Sequence, residues 1–333
     1  MPIKTILDFI VIGRISRQTI VNLNQKVCEH IPGGPALYSA AGLRCWADRI
    51  GIVSEVTPDE SVNLFPTLDE HQIDHNGIIV TPDANVEEQF LGYSSPDVPP
   101  SKDPVPFFTT IQKTIPRTLL TESLQKLANS SSHNYYPSML AETYMDASAA
   151  HICADDIHHQ LKISTLINKS SVSVFTLLSN KQYMEPRNWD LVINLMNGLT
   201  VFFTSTFQLA SLFKNHLDDI RLMVETLHRR GCEYVVLLDG MDGYTLFDVK
   251  QNRKILVPAY PVKTIDPTGL EETFCGGFLA VMRKSHDPIQ AMMSGSVTAS
   301  ITLEGSGPFF PLETTPGLME ARMERIKDWI KIQ

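Results

Sequence analysis

Short apolar segments alternate with amphipathic segments along most of this 333-residue chain. The apolar segments, such as 6–13, 50–56 and 233–239, have the length of buried strands, and the intervening segments carry apolar residues at helical spacing. Strands that alternate with helices form parallel sheets, because each helix returns the chain to the start of the next strand. The pattern therefore predicts an α/β fold in which helices cover both faces of a mostly parallel sheet.

The same pattern gives each element definite limits. A strand is predicted from Asn76 to Thr81, and helices from Pro116 to Leu127, Glu272 to Lys284 and Leu318 to Ile330. Residues 92–134 break the alternation, because they contain six prolines and end in three consecutive serines. Two interpretations of this segment remain open: it is either a surface excursion or lid over a ligand site, or a disordered insertion.

Composition excludes several classes of protein. The net charge of −9 argues against a general binder of nucleic acid or anionic membranes, which needs clustered Lys and Arg. No apolar run approaches the roughly 18 residues of a membrane span, and Asp8 interrupts the first apolar run, unlike in a signal peptide. We therefore expect a cytoplasmic protein. The five cysteines show no CxxC pair, and the His158-His159 pair lacks a partner motif, so neither disulfides nor a metal site are predicted.

The segment from Asp266 to Phe278 carries the strongest chemical signal. Gly269 ends a short turn that leads directly into an amphipathic helix. The first N–H groups of a helix are unpaired and lie at the positive end of its dipole, so they form a natural anion site. Yet Glu271 and Glu272 fall in the first turn. They either complement the dipole or include a catalytic base beside a phosphate pocket, and the residues alone leave both readings open.

This segment resembles the C-terminal signature of the PfkB (ribokinase-like) family of sugar and nucleoside kinases, whose pattern is Asp-x-Thr-Gly-Ala-Gly-Asp-x-Phe-x-Gly-Gly. The matching residues are Asp266, Thr268, Gly269, Phe274, Gly276 and Gly277. Leu270 stands at the position of the family's alanine, Glu271 at its second glycine and Glu272 at its catalytic aspartate.

Other segments resemble the family as well. Gly33 and Gly34 match a Gly-Gly turn that approaches the phosphoryl acceptor. Asp59 echoes an acid that the family carries two strands into the chain, although Pro58 stands where a glycine usually precedes that acid. Gly240 and Gly243 match the Gly-x-x-Gly turn that lines the nucleotide site. The resemblance therefore implies that Gly33, Gly34 and Asp59 bind the acceptor.

The resemblance implies one ribokinase-like domain over residues 1–333, a three-layer α/β/α sandwich with a small β lid from about 14–30 and 81–110. It implies ATP and Mg²⁺ as cofactors and phosphoryl transfer to a hydroxyl of a small sugar-like or nucleoside-like molecule. Glu272 would take the hydroxyl proton, and the turn at Gly269 would stabilise the moving phosphoryl group. Asp266 and Thr268 would lie on the nucleotide side. A homodimer is one option, because lids of this family often pair across a dimer.

The sequence departs from the family pattern where the chemistry would occur. Glu272 is one methylene longer than aspartate, and Glu271 adds negative charge beside the triphosphate position. The family's Asn-x-x-Glu motif, which orders magnesium, falls at Ser205 and Gln208, where no carboxylate remains. No acid follows Gly13 to hold sugar hydroxyls, which disfavours an ordinary sugar acceptor.

Three functions therefore remain open. The first is an active but divergent PfkB-type kinase that uses Glu272 as its base. The second is a catalytically degenerate kinase fold that acts as a binding or regulatory subunit. The third is a different enzyme in which Glu271 and Glu272 form a new acid pair, although neighbouring helical positions diverge by about 100° and so share a proton poorly.

Overall fold

A computed structural model describes residues 7–84, 86–96, 98–117, 119, 142–214 and 219–333. Within these ranges the strands are β1 (Phe9–Ile12), β2 (Ser16–Val21), β3 (Val27–Gly33), β4 (Ile50–Val56), β5 (Ile73–Val80), β6 (Glu87–Gly92), β7 (Ala149–Ile152), β8 (Val174–Leu178), β9 (Val201–Thr204), β10 (Tyr234–Leu238), β11 (Tyr244–Asp248), β12 (Arg253–Val257) and β13 (Lys331–Ile332).

The helices of the same ranges are α1 (Pro35–Arg44), α2 (Pro58–Glu70), α3 (Pro104–Thr110), α4 (Glu142–Met145), α5 (Ile157–Ile167), α6 (Trp189–Leu195), α7 (Thr206–Leu212), α8 (Ile220–His228), α9 (Leu270–Ser285), α10 (Pro288–Thr302) and α11 (Leu318–Ile326). None of these helices is long and apolar enough to cross a membrane.

The larger sheet has the spatial order β13-β12-β11-β10-β9-β8-β7-β1-β4-β5. Its pairs from β10 to β5 are parallel, and the pairs among β10, β11, β12 and β13 are antiparallel. One apolar core joins the sheet to α1, α9 and α10, and a second core joins its other face to α5, α6 and α8. The predicted three-layer α/β/α fold with a mostly parallel sheet is confirmed.

A small second sheet has the order β3-β2-β6, with β2 antiparallel to β3 and parallel to β6. Its strands fall largely within the ranges 14–30 and 81–110 from which a lid was predicted. Helix α3 covers one face of this sheet: Phe107 and Phe108 are buried against Val21 and Phe90, and the Phe90 and Phe107 rings meet edge to face at 5.7 Å.

The proline-rich segment is therefore a packed excursion over its described part, because its apolar residues find a sheet face to bury. Most of the helix predicted from Pro116 to Leu127 lies outside the described residues. Two predicted limits at the edges of the large sheet were wrong. The strand predicted from Asn76 begins at Ile73, and the C-terminal helix ends at Ile326, after which residues 331–332 pair with β12. Such short edge pairing leaves little periodic signal in a sequence.

Candidate active site

The centre of the candidate site is the crevice between β1 and β7. These strands are parallel neighbours, and the chain continues from β1 toward β4 on one side and from β7 toward β8 on the other. Ligands of open α/β sheets bind at the carboxyl ends of strands where the strand order reverses in this way. At this edge the Arg14 Nε lies 3.2 Å from the Asp155 Oδ1 in an ion pair, and Asp155 is buried.

Helix α9 begins over this crevice. Gly269 precedes the helix in the left-handed conformation, with φ of 77°, and a Cβ at this position would collide with the ring of Tyr38. Both constraints require glycine. The helix begins at Leu270 rather than at the predicted Glu272, because Thr273 N donates to Gly269 O at 2.9 Å and closes the first turn. Helices α9 and α1 then pack at backbone distance, with Gly276 against the Ser39 carbonyl.

Glu272 lies in this first turn and is partly buried. Loss of hydration raises the pKa of its carboxyl group, while a hydrogen bond from its own backbone N–H acts in the opposite direction. Burial also raises the pKa of Tyr38, Tyr93 and Cys153, and the charge of Glu272 adds to each of these shifts. Glu272 therefore lies near Cys153, which directly follows β7, and near Tyr38 and Tyr93.

Glu271 has a more strongly perturbed carboxyl group. Burial raises its pKa to about 8, the charges of Glu272 and Asp239 add to the shift, and Lys181 opposes it. Such a carboxyl group is mostly protonated at neutral pH. The extra negative charge that the sequence predicts in this turn is therefore largely absent at neutral pH.

The two glycines of the predicted acceptor turn lie on the opposite wall. Gly33 ends β3, and Gly34 precedes α1 with φ of 97°. The Gln18 side chain packs directly against Gly33, its Nε2 donates to the Gln89 Oε1 at 3.1 Å, and its Oε1 accepts from the Tyr38 hydroxyl at 3.4 Å. Gln18 and Tyr38 therefore connect Gly33 to the Gly269 turn. Sequence reasoning gave neither a role, although Tyr38 is conspicuous as a bulky residue in a helix start of small ones.

The small sheet is hydrogen-bonded to the signature segment. The Thr268 hydroxyl donates to the Tyr93 hydroxyl at 3.0 Å, and Leu23 N donates to Ile265 O at 2.9 Å. Asp266 is buried, and its Oδ1 accepts from Thr268 N at 2.9 Å, which fixes the turn before Gly269. Asp266 and Thr268 thus shape the turn and connect it to the small sheet.

Four of the predicted nucleotide residues, Ser205, Gln208, Gly240 and Gly243, follow the carboxyl ends of β9 and β10. Asp239 accepts hydrogen bonds from the Thr206 N at 2.8 Å and the Thr206 hydroxyl at 2.7 Å. Gly240 follows with φ of 60°, and no atom lies within 4 Å of the place where its Cβ would be. Gly243 has φ of 96°. This turn therefore leaves open space beside its backbone, which fits the close approach of a nucleotide. Sequence reasoning missed Asp239, although it directly follows a buried strand.

The residues at the predicted magnesium motif do not fit a magnesium ion. The Ser205 hydroxyl accepts from Gln208 N at 3.2 Å as the cap of α7. The Gln208 Oε1 accepts from the Ser179 hydroxyl at 2.6 Å and the Thr204 hydroxyl at 3.1 Å. Both potential oxygen ligands are thus engaged, and neither carries the charge that Mg²⁺ prefers. Across the described ranges, no cluster of three His, Cys, Asp or Glu side chains could hold a metal.

Asp59 lies in a different hollow from the other predicted acceptor residues. It is exposed in the first turn of α2 and lines a cavity of about 400 Å³ together with Ser16 and Arg17. Arg17 also forms ion pairs of 2.9 Å with Glu60 and with Glu88, which joins α2 to the small sheet. The structure therefore groups Gly33 with Gly269 and Glu272, and places Asp59 at the outer side of the small sheet.

Comparison with known proteins gives matches over both sequence and fold. The family model for pfkB family carbohydrate kinase matches residues 173–315. A cytidine kinase from Thermococcus kodakarensis is 24% identical over 275 residues, which are 82% of this chain and 88% of that protein. A 1-phosphofructokinase from Haloferax volcanii is 33% identical over 87 residues, which are 26% of this chain and 28% of that protein.

Two solved structures illustrate the likeness in fold. A protein from E. coli described as a ribokinase II, in complex with ATP and Mg²⁺, has a TM-score of 0.69 and 16% identity, covering 96% of this chain and 99% of its own. The nucleoside kinase of Methanocaldococcus jannaschii has a TM-score of 0.67 and 16% identity, with the same coverage of 96% and 99%. The chain is therefore similar in sequence to the pfkB family carbohydrate kinases over residues 173–315 and has the ribokinase-like fold, which confirms the resemblance seen in its sequence.

Proposed function

We propose that this chain is an ATP-dependent phosphotransferase of the pfkB type that acts on a hydroxyl group of a small nucleoside-like or sugar-like molecule. The observation that carries the proposal is the position of Glu272, a partly buried carboxylate in the first turn of α9 beside the crevice between β1 and β7. The cytidine kinase that aligns over 82% of the chain supports a nucleoside-like acceptor. So does the lack of a carboxylate after Gly13, where a sugar-binding acid is expected.

In the proposed reaction Glu272 takes the proton of the acceptor hydroxyl. Its raised pKa makes it a stronger base than an ordinary glutamate, which suits proton transfer near neutral pH. ATP supplies the phosphoryl group when bound: the acceptor oxygen bonds to the γ-phosphorus as the bond to the β-phosphate oxygen breaks. The Glu271 N–H in the first turn of α9 would stabilise the negative charge, since Leu270 N donates to Pro267 O and the Glu272 N–H donates to its own carboxyl group.

Glu271 takes part in this proposal as a neutral acid. Because its pKa is about 8, it holds a proton at neutral pH and can donate a hydrogen bond to a phosphate oxygen instead of repelling it. The proposal assigns no step to Mg²⁺, because Ser205 and Gln208 do not fit this ion. The small sheet is proposed to be the lid over the acceptor. The hydrogen bond that the Thr268 hydroxyl donates to Tyr93, next to β6, would transmit lid closure to the phosphoryl-handling turn.

The test is ADP formation by the purified chain with ATP and a panel of cytidine, uridine, adenosine, ribose and fructose. We expect one nucleoside to be phosphorylated, Glu272→Gln to lower kcat by about 100- to 10,000-fold, and Glu272→Asp to retain much of it. Glu320→Gln serves as the matched control, because Glu320 is an exposed first-turn acid of another helix, α11. Equal rates for Glu272→Gln and the wild type would reject the assignment of the base.

One observation favours a second candidate, a degenerate kinase fold that binds a ligand without phosphorylating it. The buried side chains of Gln18 and Tyr38 occupy the space between Gly33 and Gly269, where an acceptor would otherwise enter. A binding subunit would retain nucleoside or nucleotide affinity yet form no ADP with any acceptor. Replacing Tyr38 with the smaller Ser would then change binding but still give no turnover.

A further inference from the structure

A second cavity lies on the sheet face opposite to α9 and α10. It has a volume of about 440 Å³ and separates α8 from the hairpin of β11 and β12. Its wall residues Val224, Leu237 and Phe247 belong to the core that α5, α6 and α8 share, whereas Phe274 of α9 belongs to the other core. The cavity is therefore separate from the candidate active site. Its apolar wall consists of Ile220, Val224, Leu237, Phe247 and Val249.

The hairpin contributes cationic groups to this apolar cavity. Lys254 is half-buried with its Nζ 5.8 Å from the centre of the Phe247 ring, and no ion pair to Lys254 occurs among the described residues. The Arg253 Nη2 forms an ion pair of 2.8 Å with the buried Asp248, but the Arg253 Nε is buried without a hydrogen-bond acceptor. Because this Nε has almost no accessible surface, a ligand in the cavity would meet the Lys254 Nζ instead.

The acidic residues around the cavity already have partners. Glu225 pairs with Arg221 at 3.6 Å and with Arg229 at 3.4 Å. Asp219 accepts from Arg221 N at 2.7 Å as the cap of α8. The lining also contains the neutral polar residues Thr245, Asn252 and Gln333, and Lys254 is the lining cation without an ion pair among the described residues. This combination selects a molecule with one anionic end and one hydrophobic body.

We propose that this cavity binds a small apolar carboxylate, with its hydrocarbon or aromatic part against Val224 and Phe247 and its carboxylate at Lys254. Thr206 lines the same cavity, and its N–H and hydroxyl groups are bonded to Asp239 beside the Gly240 turn. An occupant would therefore touch the segment that also carries Ser205 and Gln208. The proposal does not depend on the phosphotransferase activity.

The test measures the binding of 4-(trifluoromethyl)benzoate to the full chain by ¹⁹F NMR titration. The corresponding benzamide is the matched neutral probe, because it keeps the ring and loses only the charge. Val224→Trp fills the cavity, and Thr245→Phe does so from the sheet if the first variant fails to fold. Lys254→Gln removes the cation. Lys250→Gln is its control, since Lys250 is on the same hairpin, is exposed and pairs with Glu233 at 3.0 Å.

We expect saturable binding of the benzoate, affinity at least about tenfold weaker for the benzamide, and a similar loss in Lys254→Gln but not in Lys250→Gln. The cavity-filling variant should abolish binding. The proposal is overturned if the folded wild-type chain does not bind the benzoate. Equal affinity for both probes, or unchanged affinity in a folded cavity-filled variant, overturns it as well, because the ligand then lies elsewhere or is held without the cations.

Discussion

The protonation of Glu271 gives a sharp prediction for nucleotide binding. Its folded-state pKa of about 8 means that roughly a quarter of the carboxyl groups are ionised at pH 7.5 and nearly all at pH 9.5. ATP is already mostly ionised at pH 7.5, because phosphate groups lose their last proton at about pH 6, so its own titration contributes little across this window. The affinity for ATP should therefore fall as the pH rises.

The size of the effect follows from Coulomb's law. A phosphate charge about 6 Å from the ionised Glu271 carboxylate costs about 3 kcal/mol at an effective dielectric constant of about 20. This repulsion would raise the pKa of Glu271 from about 8 to about 10 when a nucleotide binds. Linking the two equilibria gives a dissociation constant roughly 20-fold weaker at pH 9.5 than at pH 7.5. Glu271→Gln keeps a neutral hydrogen-bonding side chain, so its affinity should be nearly independent of pH.

Fluorescence titration with a mant-labelled ATP, at constant ionic strength and without added divalent cation, measures these constants. Glu320→Gln is the control, because it removes an exposed first-turn acid of α11 and should retain the wild-type pH dependence. A pH-independent affinity in the wild type would refute the reasoning. The same slope in Glu271→Gln as in the wild type would refute it too, because another group would then be responsible.

Three further predictions concern stability. His151 is fully buried, its Nδ1 lies 2.9 Å from the Thr176 hydroxyl, and burial lowers its pKa to about 3. Below about pH 6.5 the unfolded chain therefore binds a proton at this histidine that the folded chain excludes. The urea concentration at the unfolding midpoint should fall from pH 7 to pH 5, and it should fall less in His151→Gln. Phe108→Ala should lower the free energy of unfolding by about 3 kcal/mol, because it removes a buried ring of α3 from the apolar cluster against the small sheet. A decrease under about 1 kcal/mol would contradict that packing. Tyr93→Phe should lower the free energy of unfolding by about 1 kcal/mol, because the Thr268 hydroxyl loses its acceptor. Chemical denaturation measures this change, and an unchanged free energy of unfolding would show that this hydrogen bond does not stabilise the fold.

The fold was predictable because its signals are local and repeated. The parallel strands β4, β7, β8 and β9 are apolar runs that are each followed by a helix, so much of the layer order follows from chain order. The ends of individual helices and strands were less predictable where tertiary contacts determine them. Gly269 O accepts from Thr273 N, which moves the start of α9 ahead of Glu272, and residues 331–332 form a strand only because β12 offers an edge.

The candidate site was predictable only in part. The signature placed Gly269 and Glu272 in one turn, but the side chains that fill the crevice, Gln18 and Tyr38, come from segments with no motif of their own. The protonation of Glu271 could not be read from the sequence either. It depends on burial and on Asp239, which lies 32 positions earlier in the chain (271 minus 239).

The most direct measurement of the central claim is the thermal stabilisation of the chain by ATP in a matched pair of glycine variants. Gly240 and Gly317 both have positive φ, 60° and 83°, and nothing lies within 4 Å of either missing Cβ. Asn tolerates this conformation, so Gly240→Asn and Gly317→Asn should have similar stability without ligand.

At an ATP concentration of about 100 times its dissociation constant, the wild-type chain and Gly317→Asn should gain about 2.7 kcal/mol of stability. Gly240→Asn should gain almost none, because its side chain would enter the space that the nucleotide needs. No shift in the wild type, or an equal shift in both variants, would contradict a nucleotide site at this turn.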